Sequence, residues 1–123
     1  MAQQRFKSQV KRWAVRANIS QRVLLKRIAF GLWGRLIDAT PRDTGRAQSN
    51  WNLVPGDVAD LTTRDAGEPS PMPTATSADS WTISNNLHYI LALEEGHSSQ
   101  APAGMVKTSI ASEKALLEHD LGP

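Results

Sequence analysis

The 123 residues predict an α+β fold: a long N-terminal helical segment, a small antiparallel β-sheet with a long loop, and a C-terminal helix. Three observations carry this prediction. Apolar residues recur at helical spacing through the first third, short β-type runs surround Trp51 and Trp81, and a proline-rich stretch separates those two runs.

From Arg5 to Ala17 the apolar positions are Phe6, Val10, Trp13, Ala14 and Ala17, which line one face of a helix. Asn18 or Ser20 then offers an N-cap side chain. A second helix follows, with Val23, Leu24, Leu25, Ile28, Ala29, Leu32, Leu36 and Ile37 carrying it to about Ala39. Phe30 and Trp33 widen its apolar stripe, so either two faces are buried or one awaits a partner. Gly31 and Gly34 each lower helix propensity by about 1 kcal/mol relative to alanine, which points to close packing against the backbone there.

Thr40-Pro41 ends this helix, because the residue before proline disfavours the α region. Asp43-Thr44-Gly45 has the composition of a turn, and Ala47 to Val54 alternates around Trp51 and Leu53 as a strand does, closed by Pro55-Gly56. Residues 56–79 hold Pro69, Pro71 and Pro73 among Ser, Thr, Asp and Gly, too polar to fill a core, and are expected as an exposed loop. Ser80 to Ser84 is a second β-type run, ended by Asn85-Asn86. Leu87 to Leu93 fits a strand or a short helical turn equally. Pro102 suits the first turn of a last helix over about Ala103 to His119, with Met105, Val106, Ile110, Leu116 and Leu117 as its apolar positions.

This length fits one domain, spanning 1–123: a basic helical part (1–39), the sheet with its loop (40–99), and the C-terminal helix and tail (100–123). The chain has no cysteine, which excludes disulfides, thiolate metal sites and cysteine nucleophiles. Its start lacks an apolar signal-type region, and no run approaches the roughly 18 apolar residues of a membrane span, so synthesis and use in the cytoplasm, away from membranes, are expected.

The net charge of +2 conceals a strong polarity. Residues 1–46 carry eleven Lys or Arg against two acids, a balance of +9, whereas residues 47–123 carry three bases against ten acids, a balance of −7. Lys7, Lys11, Arg12, Arg16, Arg22, Lys26 and Arg27 form a basic helical face. It can be a solvated surface, a site for phosphates, or one half of a contact between oppositely charged faces of neighbouring copies. No helix-turn-helix, zinc-finger or RNA-binding signature accompanies it, so any contact with DNA is expected to be non-specific.

Catalytic chemistry has little to stand on. Asp43-Thr44-Gly45 matches the tripeptide of aspartic proteases, but there the aspartate sits in a strand-borne loop, whereas here it follows Thr40-Pro41-Arg42 directly after a helix. A turn in which Asp43 accepts backbone hydrogen bonds and Gly45 adopts positive φ needs no further assumption. His88, His97 and His119, with Glu94 and Glu95, match no zinc spacing. No phosphate-cradling loop or nucleophile elbow is present. No catalytic residue, metal or cofactor is therefore assigned. The readings retained are an assembly protein, a nucleic-acid-binding accessory protein and, remotely, an aspartic-type protease.

One ordered set of segments goes further. Thr40-Pro41-Arg42-Asp43-Thr44-Gly45-Arg46 precedes Ser49-Asn50-Trp51. Then come Ile83-Ser84-Asn85-Asn86, Tyr89, Glu94-Glu95-Gly96, and Gln100-Ala101-Pro102-Ala103-Gly104-Met105 leading into the last helix. In this order, over about residues 20–115, the chain resembles the lambdoid-type neck or tail-completion proteins of long-tailed bacteriophages, the head–tail joining components. The resemblance implies a non-enzymatic virion protein of the neck or tail, made in the host bacterial cytoplasm. It implies a homo-oligomeric ring, a hexamer or dodecamer, that joins the portal or connector to the tail-tube or tail-terminator proteins. It casts Thr40, Pro41, Asp43, Thr44, Gly45 and Arg46 as the turn from helix to sheet, and Trp51 and Trp81 as packing between sheet and helices. Glu94 and Gly96 become a turn before the last connection, Trp33 and Tyr89 packing or interface residues, and Arg42, Arg46 and Glu94 candidate ion-pair partners.

Overall fold

The computed structural model describes residues 2–41, 45–67, 71–74, 77–87, 89–96 and 104–122, with side chains from residue 6 onward. Helices α1 (Ala2–Ala17) and α2 (Gln21–Ala39) lead into a single helical turn, α3 (Arg46–Ser49). Strands β1 (Trp51–Pro55) and β2 (Trp81–Asn85) follow, then the short helix α4 (Ile90–Glu94) and the long α5 (Val106–Leu121). The fold is α+β, as the sequence predicts.

Asn18 stops α1 by taking a left-handed conformation, φ 56°, and its neighbour Ile19 donates back to the Ala14 carbonyl at 3.1 Å. Ser20 is the N-cap of α2, its Oγ accepting from the Val23 amide at 3.1 Å. At the other end Thr40 turns extended before Pro41, so α2 stops at the proline boundary.

The wide stripe of α2 is wide because the helix serves two clusters. Leu24 and Ile28 pack with Val10, Trp13 and Ala14 of α1, and with Leu117 and Leu121 of α5. Further along, Ala29, Trp33 and Leu36 pack with Trp51, Leu53 and Met105, flanked by Phe30, Trp81, Ile83, Ile90, Leu93 and Val106. Two faces are thus buried within the chain itself. Gly31 faces α5 as its sequence context predicts: a Cβ there would lie 2.9 Å from the Glu113 carboxylate, which is held by Arg35 Nε at 2.6 Å. Gly34 does not, since a Cβ would meet nothing within 4 Å.

The strand expected from Ala47 begins only at Trp51. Gly45, at φ 75°, reverses the chain into α3, where Ser49 N–H bonds the Gly45 carbonyl at 3.1 Å and Asn50 N–H that of Ala47 at 3.3 Å. From Trp51 the chain is extended and pairs antiparallel with β2, Leu53 opposite Ile83 and Asn52 opposite Ser84. Trp51, Leu53, Trp81 and Ile83 share the face packed on α2, and Asn52, Thr82 and Ser84 alternate onto the other.

That other face is not bare. Residues 56–67 of the long loop lie over it, although Val58 and Leu61 remain 82% and 78% exposed. The loop's composition does keep it out of the core, but this stretch is ordered by polar bonds and not merely exposed. In α5 the expected apolar set is partly corrected. Met105 is fully buried, whereas Ile110 and Leu116 flank the contact and stay about half exposed, at 49% and 47%. Ser109 is the buried residue of the helix itself, because it lies on the same side as Met105 and Glu113 at spacing four. The helix is observed from Val106, and residues 97–103, including Pro102, lie outside the described set.

Candidate assembly surface

The junction between α2 and β1 is a closed hydrogen-bonded unit. Trp33 Nε1 donates to the Trp51 carbonyl at 2.9 Å, and Trp51 Nε1 donates to Thr40 Oγ1 at 2.7 Å. Thr40 Oγ1 in turn donates to the Leu36 carbonyl at 2.5 Å. Thr40 and Pro41 are buried, and Gln48 Nε2 donates to the Ile37 carbonyl at 3.0 Å, tying α3 back to α2. Trp33, a candidate interface anchor in sequence, is thereby a core residue of this chain. Trp81 packs edge-on to Phe30 at 5.5 Å between ring centres, and Tyr89 is half-buried before α4. Arg42, Asp43, Thr44, His88 and His97 lie outside the described residues.

Beside this unit is a polar cluster that sequence reasoning missed. Asn50 is fully buried. Its Nδ2 donates to the carbonyls of Arg46 and Arg64 at 2.8 Å each, and its Oδ1 accepts the Arg64 amide at 2.7 Å. Asn52 Nδ2 donates to the carbonyls of Asp60 and Thr62 at 3.2 and 3.3 Å, and its Oδ1 accepts from Arg64 Nη1. Asn86 Nδ2 and Ser84 Oγ converge on the same Asp60 carbonyl at 2.7 and 3.3 Å. The Asp60 carboxyl is held below its ordinary range by its hydrogen bonds from Thr62, side chain and backbone, aided by the Arg64 charge and opposed by burial. The one available signal was the period-two alternation Asn50-Trp51-Asn52. Asparagines on a strand face stay buried only if something polar covers them.

Glu94, which the resemblance casts as a turn residue and ion-pair candidate, makes its described contacts with backbone amides. Its Oε1 accepts from the amides of Met105 and Val106 at 2.7 Å each, and its Oε2 from Lys107 at 3.1 Å. The carboxylate thus occupies the place of a cap at the start of α5, where free N–H groups and the helix dipole favour negative charge. Burial alone would raise its pKa, but the three amides and the Lys107 charge outweigh this and hold it below the ordinary value. Gly104, at φ 81°, is required by the approach, since a Cβ there would strike the Glu94 carbonyl. Gly96 also takes positive φ, 88°, ending the α4 turn.

The basic face is partly used internally. Arg16 Nη1 donates to the Leu121 carbonyl at 2.6 Å, Arg22 pairs with Asp79 at 3.1 Å, and Lys26 Nζ sits 5.5 Å from the Phe30 ring centre. Lys7, Lys11, Arg12 and Arg27 are exposed and make no ion pair among the described residues. No group of three His, Asp or Glu among the described residues is placed to hold a metal ion. His119 is exposed beside Asp120, at 3.1 Å. No helix of the described residues is long and apolar enough to cross a membrane. Comparison with known protein families, with characterised proteins and with solved structures finds no significant match to this chain.

Proposed function

We propose that this chain is a non-enzymatic structural component of a tailed bacteriophage virion, acting at the head–tail interface in neck formation, tail completion or tail termination. In this role several copies form a ring that joins the portal or connector to the tail-tube or tail-terminator proteins. The observation that carries the reading is the order of segments from Thr40-Pro41 through Asn50-Trp51, Ser84-Asn85, Tyr89 and Glu94-x-Gly96 into the last helix.

The geometry supports it in a specific way. The described motif residues are spent on building the fold: Thr40 and Trp51 lock helix to strand, Gly45 reverses the chain, and Glu94 caps α5. Residues so engaged are poorly placed to turn over a substrate. Exposed surface of opposite sign on the two parts of the chain is left for partners. In a ring, each copy presents one face to a different face of the next, and the basic α1–α2 surface against an acidic surface of the neighbour suits such a heterologous contact. Lys7, Lys11, Arg12 and Arg27 can also meet phosphates of DNA passing through the ring without reading its sequence.

Quantitative mass spectrometry of gradient-purified particles from the phage or prophage encoding this chain tests the reading. A fixed copy number of about 6 or 12 per virion is expected from ring symmetry. Absence from the particle rejects the structural role.

A further inference from the structure

The two-stranded sheet has two outer edges, and the chain treats them differently. Gly56 N–H bonds the Ser80 carbonyl at 2.8 Å, continuing the register of β1 and β2. Residues alternate in an antiparallel ladder, so the backbone groups of Asn52, Val54, Thr82 and Ser84 point into the pair. Those of Trp51, Leu53 and Pro55, and of Trp81, Ile83 and Asn85, point outward.

The β1 edge is blunted: the Trp51 carbonyl is taken by Trp33 Nε1, Leu53 is buried, and Pro55 has no N–H to offer. At the β2 edge the backbone N–H and C=O groups of Trp81, Ile83 and Asn85 have no hydrogen-bond partner among the described residues. All three residues retain solvent exposure. Next to them Trp81 Nε1 is the one buried side-chain polar atom without a partner in that set.

Open strand edges in stable proteins are usually guarded by a charge, a proline or a bulge. The run from Ser80 to Asn86 has none of these: no charged residue, no proline, and an unbroken register.

From these observations we infer that β2 is a self-pairing edge, on which the β2 strand of a second copy docks antiparallel about Ile83 to give a four-stranded sheet in the order β1-β2-β2-β1. The occupant follows from elimination among the described strands: the β1 edge cannot supply a matching row of donors and acceptors, whereas β2 can. With Ile83 opposite its own copy, Trp81 faces Asn85 of the other chain, and all outward groups fall into about six hydrogen bonds. The apolar face formed by Trp81 and Ile83 then runs on into that of the second copy. The contact is isologous, with a two-fold axis through Ile83. It does not rest on the phage reading, to which it adds a constraint: a dodecamer can use it to join two rings face to face, whereas a lone cyclic hexamer cannot.

The test combines sedimentation of the full chain, over a concentration range from micromolar to millimolar, with amide hydrogen exchange followed residue by residue. Association into dimers is expected, with the amides of Trp81, Ile83 and Asn85 slowing together by about tenfold or more as dimer forms, while the Leu53 amide is unchanged. A chain that stays monomeric throughout, or one that associates while those three amides still exchange fast, overturns the inference. Ile83→Pro removes an outward N–H without touching the ladder to β1, and Ile83→Ala is its control for lost packing. The alanine variant should still dimerise and the proline variant should not. If the proline variant does not fold, the wild-type exchange data decide alone.

Discussion

At Thr40 a single hydroxyl joins the end of α2 to the start of β1. It accepts from Trp51 Nε1 at 2.7 Å and donates to the Leu36 carbonyl at 2.5 Å, in a buried site where neither partner can turn to water. Thr40→Val keeps the shape and removes both bonds, leaving the indole N–H buried and unpaired. Stranding a buried donor costs about 1–3 kcal/mol. Urea denaturation should therefore show Thr40→Val less stable by that amount, with Thr40→Ser much closer to wild type. Equal stabilities for valine and wild type would mean the indole finds another acceptor. Residue by residue, the tryptophans were legible from sequence as packing residues, because their size leaves few alternatives. Asn50 and Asn52 were not: as buried side chains they owe their place to Arg64, Asp60 and Thr62, eight to fourteen positions away, and no local pattern encodes that partnership.

Among the elements, α1 and α2 are readable because a 3.6-residue period is written into each stripe and capping or breaking residues, Asn18, Ser20 and Pro41, mark their shared boundary and the end of α2, while α5 is readable from its period alone. The strand expected from Ala47 starts later because Ala47 to Ser49 are neutral small and polar residues whose conformation is decided by the positive φ of Gly45, not by their own preference. The start of α5 was also obscure in sequence, since its cap comes from Glu94, eleven residues before Met105. That cap makes a prediction about pH. Glu94 has a folded pKa below its unfolded value of about 4.5, so its ionised form stabilises the fold. Its contribution is fully present above that unfolded value and is lost as pH falls through the lower folded one. Glu94→Gln should cost about 1–2 kcal/mol near neutral pH and flatten the acid limb of the stability curve. Thermal unfolding of both proteins from neutral to about pH 3 measures this, and parallel curves would show that Glu94 is not the group titrating.

For the whole molecule the question is whether its two apolar clusters are one cooperative body. Both α2 and α5 run through both clusters: α2 gives Leu24 and Ile28 to one and Trp33 and Leu36 to the other, while α5 and its first neighbour give Leu117 and Leu121 to one and Met105 and Val106 to the other. The last turn of α5 is also clamped to α1, as Trp13 Nε1 donates to the Gly122 carbonyl and Arg16 to that of Leu121, each at 2.6 Å. A helix cannot readily melt at one end while its other end holds a packed sheet, so loss at one cluster should be felt at the other. Trp13 is the fully buried centre of the N-terminal cluster, and Trp13→Ala should cost about 3–5 kcal/mol by the usual penalty for emptying such a site. The remaining tryptophans, Trp33, Trp51 and Trp81, all report on the sheet cluster. Their fluorescence and the far-ultraviolet circular dichroism should then shift to lower urea together, in one transition of unchanged steepness. If the helical signal were lost first while the tryptophan signal kept its wild-type midpoint, α1 and the far end of α5 would be a separately folding layer on a sheet that stands without them.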